Sequence, residues 1–301
     1  MTDTARGALA VELEFFLPPE QLRPFITTVY RFDVVEPELG SAAEPIRDWL
    51  HPEWFNLRIV LEGELSASIG PGTPVNVPRL VMTGPTSHAA EFVAPPCHTW
   101  GVGILPAGWA RLSGKSAAEY ADRMCDVEAD SDLQQLTPLT QISRSNSTLA
   151  QKDAIFTLFG KLLAKPSKRE AEIVEAQRAL LDPGCATVAH LAEKLAMTTR
   201  TLERFALDVF GFPPQLLIRH QRFLRSLAQF MLDPSMRWIE TLDPQYYDQA
   251  QFTRDFKRFM GMGPREYARL PHPVLGAAAK ARQAVAGEAV QVLHRPARPA
   301  S

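Results

Sequence analysis

The feature that most constrains this chain is a degenerate repeat, offset by 50 residues, in its C-terminal third. Leu202, Arg204, Phe210, Gly211 and Pro214 are echoed by Phe252, Arg254, Met260, Gly261 and Pro264. Ahead of each glycine the apolar residues recur at helical spacing: Leu202, Phe205, Ala206 and Val209, then Phe252, Phe256, Phe259 and Met260. That pattern predicts two amphipathic helices, each with an inward apolar face and a glycine stop. Their outward faces carry Arg200 and Arg204 in one copy, and Gln251, Arg254 and Lys257 in the other. A short helix over 188–195, capped by Thr187, is expected before the first repeat helix, which Thr198 caps. Short helix, tight turn and longer polar-faced helix is helix-turn-helix order. Ser235 to Leu242, then Asp243-Pro244, then Asp248 as cap, predict the same order for the second copy. Pro213-Pro214 opens a long intervening helix, Gln215 to Leu232, bearing Arg219, Arg222 and Arg225.

At 301 residues the chain has room for two domains. Its net charge of −2 conceals an asymmetry. Residues 1–165 hold 13 Lys and Arg against 20 Asp and Glu, residues 166–270 hold 15 against 13, and residues 271–301 hold 4 against 1. An acidic N-terminal half beside a basic remainder suits nucleic-acid binding by one part only. No apolar run approaches a membrane span, and the start lacks the layout of a signal peptide, so the expected location is cytoplasmic. Cys97, Cys125 and Cys185 lie far apart; they suggest buried thiols rather than a disulfide framework or a zinc knuckle.

Residues 11–110 read as strand-rich. Leu57–Leu61, Leu65–Ile69 and Leu80–Met82 are short apolar segments divided by turn signals at Glu62-Gly63-Glu64 and Gly70-Pro71-Gly72. Such punctuation favours a small antiparallel barrel or sandwich. Helices are expected on either side of Ser113-Gly114, over Ser131–Leu139, and over Thr148–Lys165 with Leu149, Ile155, Phe156, Phe159, Leu162 and Leu163 on its apolar side. The last of these is either a dimerisation helix or a cover for its own domain. Pro166 ends it, and Ser167 with Glu170 forms a capping box for a helix reaching about Leu181.

The run Tyr247-Asp248-Gln249-Ala250-Gln251-Phe252-Thr253-Arg254-Asp255-Phe256-Lys257-Arg258, continued by Gly261-Met262-Gly263-Pro264-Arg265-Glu266-Tyr267, resembles the AraC/XylS family of bacterial transcription regulators. Leu191-Ala192, Thr198 to Arg204 and Gly211-Phe212-Pro213-Pro214 resemble the family's first unit. The resemblance covers residues 167–270. It implies an all-α DNA-binding domain of two helix-turn-helix units joined by a long helix. Ala206 stands where the family usually has phenylalanine, with Phe205 beside it to fill the space. Gln245 stands where the family usually has glycine. Asp48 to Pro52 and Trp100 to Gly108 resemble, more weakly, the strand-rich domain ahead of some such regulators, commonly a cupin-like sensor or partner-binding module.

The expected architecture is therefore α+β in two domains: a strand-rich, cupin-like barrel or sandwich with helices over 1–165, and an all-α domain over 166–270. A flexible basic tail is expected over 271–301, with a short helix at Ala277-Ala278-Ala279-Lys280-Ala281-Arg282 before a mobile Pro-rich end. Arg200, Arg204, Gln249, Gln251 and Arg254 are the base-reading candidates, because arginine pairs with guanine and glutamine with adenine in the major groove. Solvated surface is the plainer reading of these side chains, and Arg204 and Arg254 could instead pack against a neighbouring helix. Thr198, Thr199, Thr253, Lys257 and Arg258 suit phosphate contacts. Arg219, Arg222 and Arg225 suit phosphate, salt bridges or solvent alike. His51, His88 and His98 with Cys97 could in principle form a metal site, but isolated histidines are more often surface or hydrogen-bonded residues. No clustered-histidine pattern is evident, and neither metal nor cofactor is expected. No nucleophile elbow or phosphate loop is present, so no enzyme is expected. The implied partners are double-stranded DNA, a small-molecule effector or a second copy through the N-terminal half, and RNA polymerase for an activator. A cupin-like enzyme tethered to DNA and a protein-binding adaptor are the alternatives.

Overall fold

The computed structural model describes residues 9–36 and 44–297. Ten strands occupy the N-terminal half: β1 (Ala10–Phe16), β2 (Ile26–Val35), β3 (Ile46–Leu50), β4 (Phe55–Glu62), β5 (Ser66–Ile69), β6 (Val75–Asn76), β7 (Leu80–Thr83), β8 (Ala90–Ala94), β9 (Cys97–Ile104) and β10 (Met124–Asp126). They form two open antiparallel sheets, one of order β1-β2-β9-β4-β7-β10 and one of order β3-β8-β5-β6. Of the two closures expected, a barrel is absent and the sheets remain separate. The apolar segments anticipated around Leu57, Leu65 and Leu80 are β4, β5 and β7.

The Trp100–Gly108 stretch is explained by close packing. Trp100 is fully buried, and its indole N–H donates to Gln151 at 2.7 Å. A Cβ on Gly103 would lie 2.3 Å from Thr27 Oγ1 and 2.6 Å from Gln291 Nε2, so the missing side chain admits the distant C-terminal segment. Trp109 then stacks on Phe55 with centroids 3.9 Å apart.

Helix α1 (Pro106–Leu112) is followed by a 3-10 turn at Ala117–Glu119, where a longer helix is expected, and by a 3-10 helix over Ser131–Gln141, where the sequence predicts a helix over Ser131–Leu139. Helix α2 (Thr148–Leu162) buries Gln151, Ile155 and Phe159 against its own half of the molecule, whereas Leu149, placed on the apolar side by the sequence, is 61% exposed. Helix α3 (Glu170–Leu181) starts later than the capping box places it, after Arg169 and without a side-chain cap. Only half of the box forms: Glu170 N–H bonds to the Ser167 carbonyl, and Ser167 N–H donates to Glu170 Oε2 at 3.4 Å. The same carboxylate receives a two-pronged contact from Arg111 of α1, so it also ties the two halves together.

Helices α4 (Val188–Lys194), α5 (Thr199–Phe210), α6 (Pro214–Leu232) and α7 (Gln249–Met260) lie where the sequence places them, and a short α8 (Pro264–Tyr267) follows. The helix expected over Ser235–Leu242 does not form. The segment runs as turns, Glu240 N–H bonding to Arg237 O and Thr241 N–H to Trp238 O. Carboxylates of Asp233, Glu240 and Asp243 take up the N–H groups of Ser235, Arg237 and Gln245, which competes with helical bonding. Pro244 further biases Asp243 away from the α region. Trp238 nevertheless fills the place of a helix, stacking on Phe230 at 3.9 Å and meeting Phe252 and Phe256.

The short helix expected in the tail is present and longer, and the tail is folded rather than flexible through residue 297; residues 298–301 lie outside the described residues. Helix α9 (Leu275–Ala286) and a 3-10 turn at Gln291–Leu293 lie against the N-terminal half and bury Leu275, Ala279, Arg282, Val290, Val292 and Leu293. Asp48 of β3 supplies the missing cap: its Oδ2 accepts from Val274 N–H and Leu275 N–H, each at 2.9 Å. Gln291 acts as a backbone surrogate, accepting from Trp54 N–H at 3.0 Å and donating to Phe55 O at 3.1 Å. These pairings join residues more than 200 positions apart, so no local pattern announces them.

Candidate nucleic-acid interface

The two repeat helices are structural equivalents. α5 and α7 each span 12 residues. At the start of each, a side-chain oxygen accepts from the N–H three residues on: Thr198 from Thr201, and Asp248 from Gln251. At the end of each, a glycine adopts the left-handed conformation, Gly211 at φ 82° and Gly261 at φ 73°, which a side chain would strain. Proline then opens the next helix. Phe252, Phe256 and Phe259 are fully buried, and Leu202, Phe205, Ala206 and Val209 nearly so. Phe205 does occupy the core beside Ala206, 6.1 Å from Phe210 and beneath the Arg169 guanidinium.

The turn between α4 and α5 holds Ala196 at φ 52°, a conformation costly for any residue with a Cβ. Ala196→Gly is expected to raise unfolding stability by about 0.5–1 kcal/mol, after the greater chain entropy of glycine is offset. Urea midpoints of the two proteins measure this directly.

The outer faces separate free cations from committed ones. Arg200, Arg204, Arg254, Lys257 and Arg258 are exposed and have no ion-pair partner among the described residues. Arg204 and Arg254 thus do not serve as packing residues. The arginines of α6 are all taken: Arg219 and Arg222 meet Asp255 at 2.5 and 3.1 Å, and Arg225 meets Asp243 at 2.5 Å. The three readings open for that trio narrow to salt bridges. Gln249 is exposed, while Gln251 is half-buried with its Oε1 accepting from Tyr247 N–H at 3.0 Å. Thr199 is exposed, Thr198 is engaged as a cap, and Thr253 Oγ1 donates to Gln249 O at 2.9 Å. Tyr247, 93% exposed immediately before the α7 cap, is a surface aromatic to which sequence reading gave no role.

Asp255 is the principal residue missed. It sits on α7 among charged neighbours, where an acid reads as surface, yet it is buried and also accepts from Tyr246 Oη at 3.2 Å. Helical phase could have revealed it: Asp255 lies three residues after Phe252 and one before Phe256, on the inward side.

The helical part is latched to the sheets. Ala89 N–H donates to Phe259 O at 2.6 Å, His220 Nε2 donates to Ser87 O at 3.1 Å, and His51 Nε2 lies 2.8 Å from Tyr267 Oη. Burial pulls the His51 and His220 imidazoles down to about 4, so both are neutral at pH 7. The histidines considered as metal ligands have separate partners: His51 meets Tyr267, His88 meets Ser87, and His98 meets Asp33 and Gln151. All three thiols are free; Cys97 and Cys185 are buried and Cys125 is half-buried. Among the described residues no helix is long and apolar enough to cross a membrane.

Two capped, glycine-terminated helices offering unpaired arginines from a helical domain define a helix-turn-helix protein of the DNA-binding regulator class. Residues 191–270 match the family model described as Helix-turn-helix domain, and this C-terminal region is of AraC type. No curated protein is matched. Solved structures of similar course include an apo ToxT variant from Vibrio cholerae strain SCE256, with 11% identity, TM-score 0.42, and 86% of this chain and 96% of that one covered. Unsaturated fatty acid-bound ToxT from the same strain has 12% identity and TM-score 0.41, with 86% and 94% covered. The AraC-like transcriptional activator CuxR has 11% identity and TM-score 0.30, with 73% and 82% covered.

Proposed function

We propose that the protein is a sequence-specific transcription regulator whose α5 and α7 enter adjacent major grooves of double-stranded DNA. Arg200, Arg204, Gln249, Gln251 and Arg254 read base edges; Thr198, Thr199, Thr253, Lys257 and Arg258 hold phosphates. The observation that carries this reading is the contrast in arginine use: cations on the equivalent outer faces have no ion-pair partner among the described residues, while those of α6 are spent on carboxylates. An exposed guanidinium costs nothing to redirect toward guanine, whereas a committed one must first give up its carboxylate. Gln251 must release Tyr247 N–H before both ends of its amide can meet adenine, so Gln249 has the readier reach of the two. Tyr247 is placed to add a contact beside the N-terminus of α7. The N-terminal half senses a small-molecule effector, and its direct bonds to Phe259, His220 and Tyr267 supply a physical route to the reading helices.

Selection of sites from random duplex DNA with the full-length protein tests the DNA-reading claim. One enriched motif is expected, with two half-sites about 10 bp apart. Arg200→Ala and Arg254→Ala should each degrade a different half-site, at about 1–3 kcal/mol per lost contact. Weak, strongly salt-dependent and motif-free binding would remove the base-reading claim.

A further inference from the structure

The segment from Pro85 to Ala89, which joins β7 to β8, touches both repeat helices and the helix that connects them. Pro85 packs beside Gly211 at the end of α5: a Cβ on that glycine would lie 3.2 Å from Pro85 Cγ and 3.2 Å from Ala117 O. Ser87 O accepts from His220 of α6 at 3.1 Å, and the His220 ring lies 4.3 Å from that of Phe259. Ala89 N–H donates at 2.6 Å to Phe259 O, one of the last carbonyls of α7, which a helix leaves without its own donors. On α5 and α7 the contacts fall at the C-terminal ends. Arg200, Arg204, Gln249 and Arg254 lie in the N-terminal halves of these helices and stay exposed.

The segment is held stiff from the sheet side. Asp122 grips Ser87 twice, Oδ1 accepting from its N–H and Oδ2 from its hydroxyl, each at 2.6 Å. Asp122 N–H in turn donates to Pro85 O at 2.8 Å. Thr86 and Glu53 exchange a further pair, Thr86 N–H to Glu53 O at 3.0 Å and Glu53 N–H to Thr86 Oγ1 at 2.9 Å. Thr86 and Ser87 are buried, so water competes little for these bonds. Asp122 makes its grip from a left-handed backbone, φ 53°, which is unfavourable for a residue with a Cβ. Strain of this kind persists only where the surroundings over-determine it.

We propose that Asp122 is a positioning residue for DNA recognition: through the Pro85–Ala89 segment it fixes α5 relative to α7, and so the half-site spacing that the protein accepts. The assignment rests on α5 and α7 being the reading helices and adds what sets their separation. Within the helical domain both pack on α6, and the segment gives their C-terminal ends a second, common support. A helix of 12 residues is about 18 Å long, so a tilt of about 10° at the anchored end moves the other end by about 3 Å. That is close to the rise of one base pair, about 3.4 Å. A loosened segment therefore blurs the spacing while each helix keeps its own reading side chains.

Binding of the full-length protein to duplexes carrying its two selected half-sites, at the selected spacing and at one base pair more or fewer, tests this. The wild-type protein should lose about tenfold in affinity at either shifted spacing, roughly the value of one base contact. Asp122→Gly removes both carboxylate bonds and suits the left-handed backbone. It should cut that loss to about threefold, half the worth of the contact, with affinity for a single half-site unchanged. Asp122→Asn keeps an acceptor for Ser87 N–H and tolerates the same backbone, so it should restore wild-type discrimination. If Asp122→Gly does not fold, Ser87→Ala, which deletes the hydroxyl bond alone, should flatten the discrimination part-way. Unchanged discrimination in the variant that folds would overturn the proposal. So would wild-type binding indifferent to spacing, or a variant weakened equally at every spacing, which is what a merely stabilising Asp122 would give. Failure to enrich any motif would instead remove the recognition-helix reading, and this assignment with it.

Discussion

Asp255→Ala is expected to destabilise the protein by about 3–5 kcal/mol, the cost of breaking a buried ion pair from one side. The carboxylate is 2% exposed and accepts from Arg219, Arg222 and the Tyr246 hydroxyl. Its removal strands Arg222, which is largely buried beside the Tyr246 ring and has only a 3.4 Å contact to Gln245 O as a replacement. Arg219 is a third exposed and can turn to water, which sets the loss toward the lower end of the range. The reciprocal change Arg219→Ala should for the same reason cost only about 1 kcal/mol. Because this carboxylate fixes α7 against α6, Asp255→Ala should also weaken the half-site proposed for Arg254, with the other half-site preserved. Urea unfolding at pH 7.5 measures the first effect and site selection the second. A stability loss below about 1 kcal/mol would mean that the two arginines find solvent, and that Asp255 is not the fastener of the second unit.

The parts legible in the sequence were those that repeat or alternate locally. The 50-residue echo located α5 and α7 with their caps and stops, because a helix terminus is set by side chains within three or four residues of it. β4, β5 and β7 were visible for the same reason: turn glycines bound each apolar run. What the sequence concealed depends on distant partners. The Ala-rich stretch of α9 reads as a short helix, but its docking stays hidden until Asp48 caps it, and Arg282 reads as one more surface cation until Thr27 and Thr28 enclose it. Ser235–Leu242 shows the opposite error. Its composition permits a helix, but short-range bonds from Asp233, Glu240 and Asp243 capture the backbone first. Sequence spacing found the base-reading candidates; only tertiary structure distinguishes a free arginine such as Arg254 from a committed one such as Arg222.

Acidification from pH 7.5 to 5.5 is expected to destabilise the protein by about 4 kcal/mol through three histidines, His51, His220 and His294, roughly 1.4 kcal/mol from each. His51 and His220 are buried at the contact between the sheets and the helices, and burial lowers both, and His294, from 6.5 to about 4. For His51 the nearby Asp48 opposes the shift and His272 adds to it. For His220 the bond to the Ser87 carbonyl opposes the shift, as does Asp255, while His88 and Arg258 add to it. A depressed folded-state pKa means that the unfolded chain binds the proton first as pH falls. The contribution of these residues is therefore whole above about 6.5 and is lost progressively between 6.5 and 4. Most carboxylate titration falls below this window, so the slope between 7.5 and 5.5 belongs mainly to the imidazoles. His220→Gln keeps a donor for Ser87 O and should remove about a third of the slope, and the double variant with His51→Gln about two thirds, His294 carrying the rest. Urea midpoints at the two pH values test this, and an unchanged slope in the double variant would refute the assignment. Because His51 and His220 lie where the sheet half holds the helical half, protonation should loosen that contact before either half unfolds. The protection of Phe259 and Tyr267 amides against hydrogen exchange should then fall earlier than that of β4 and β9.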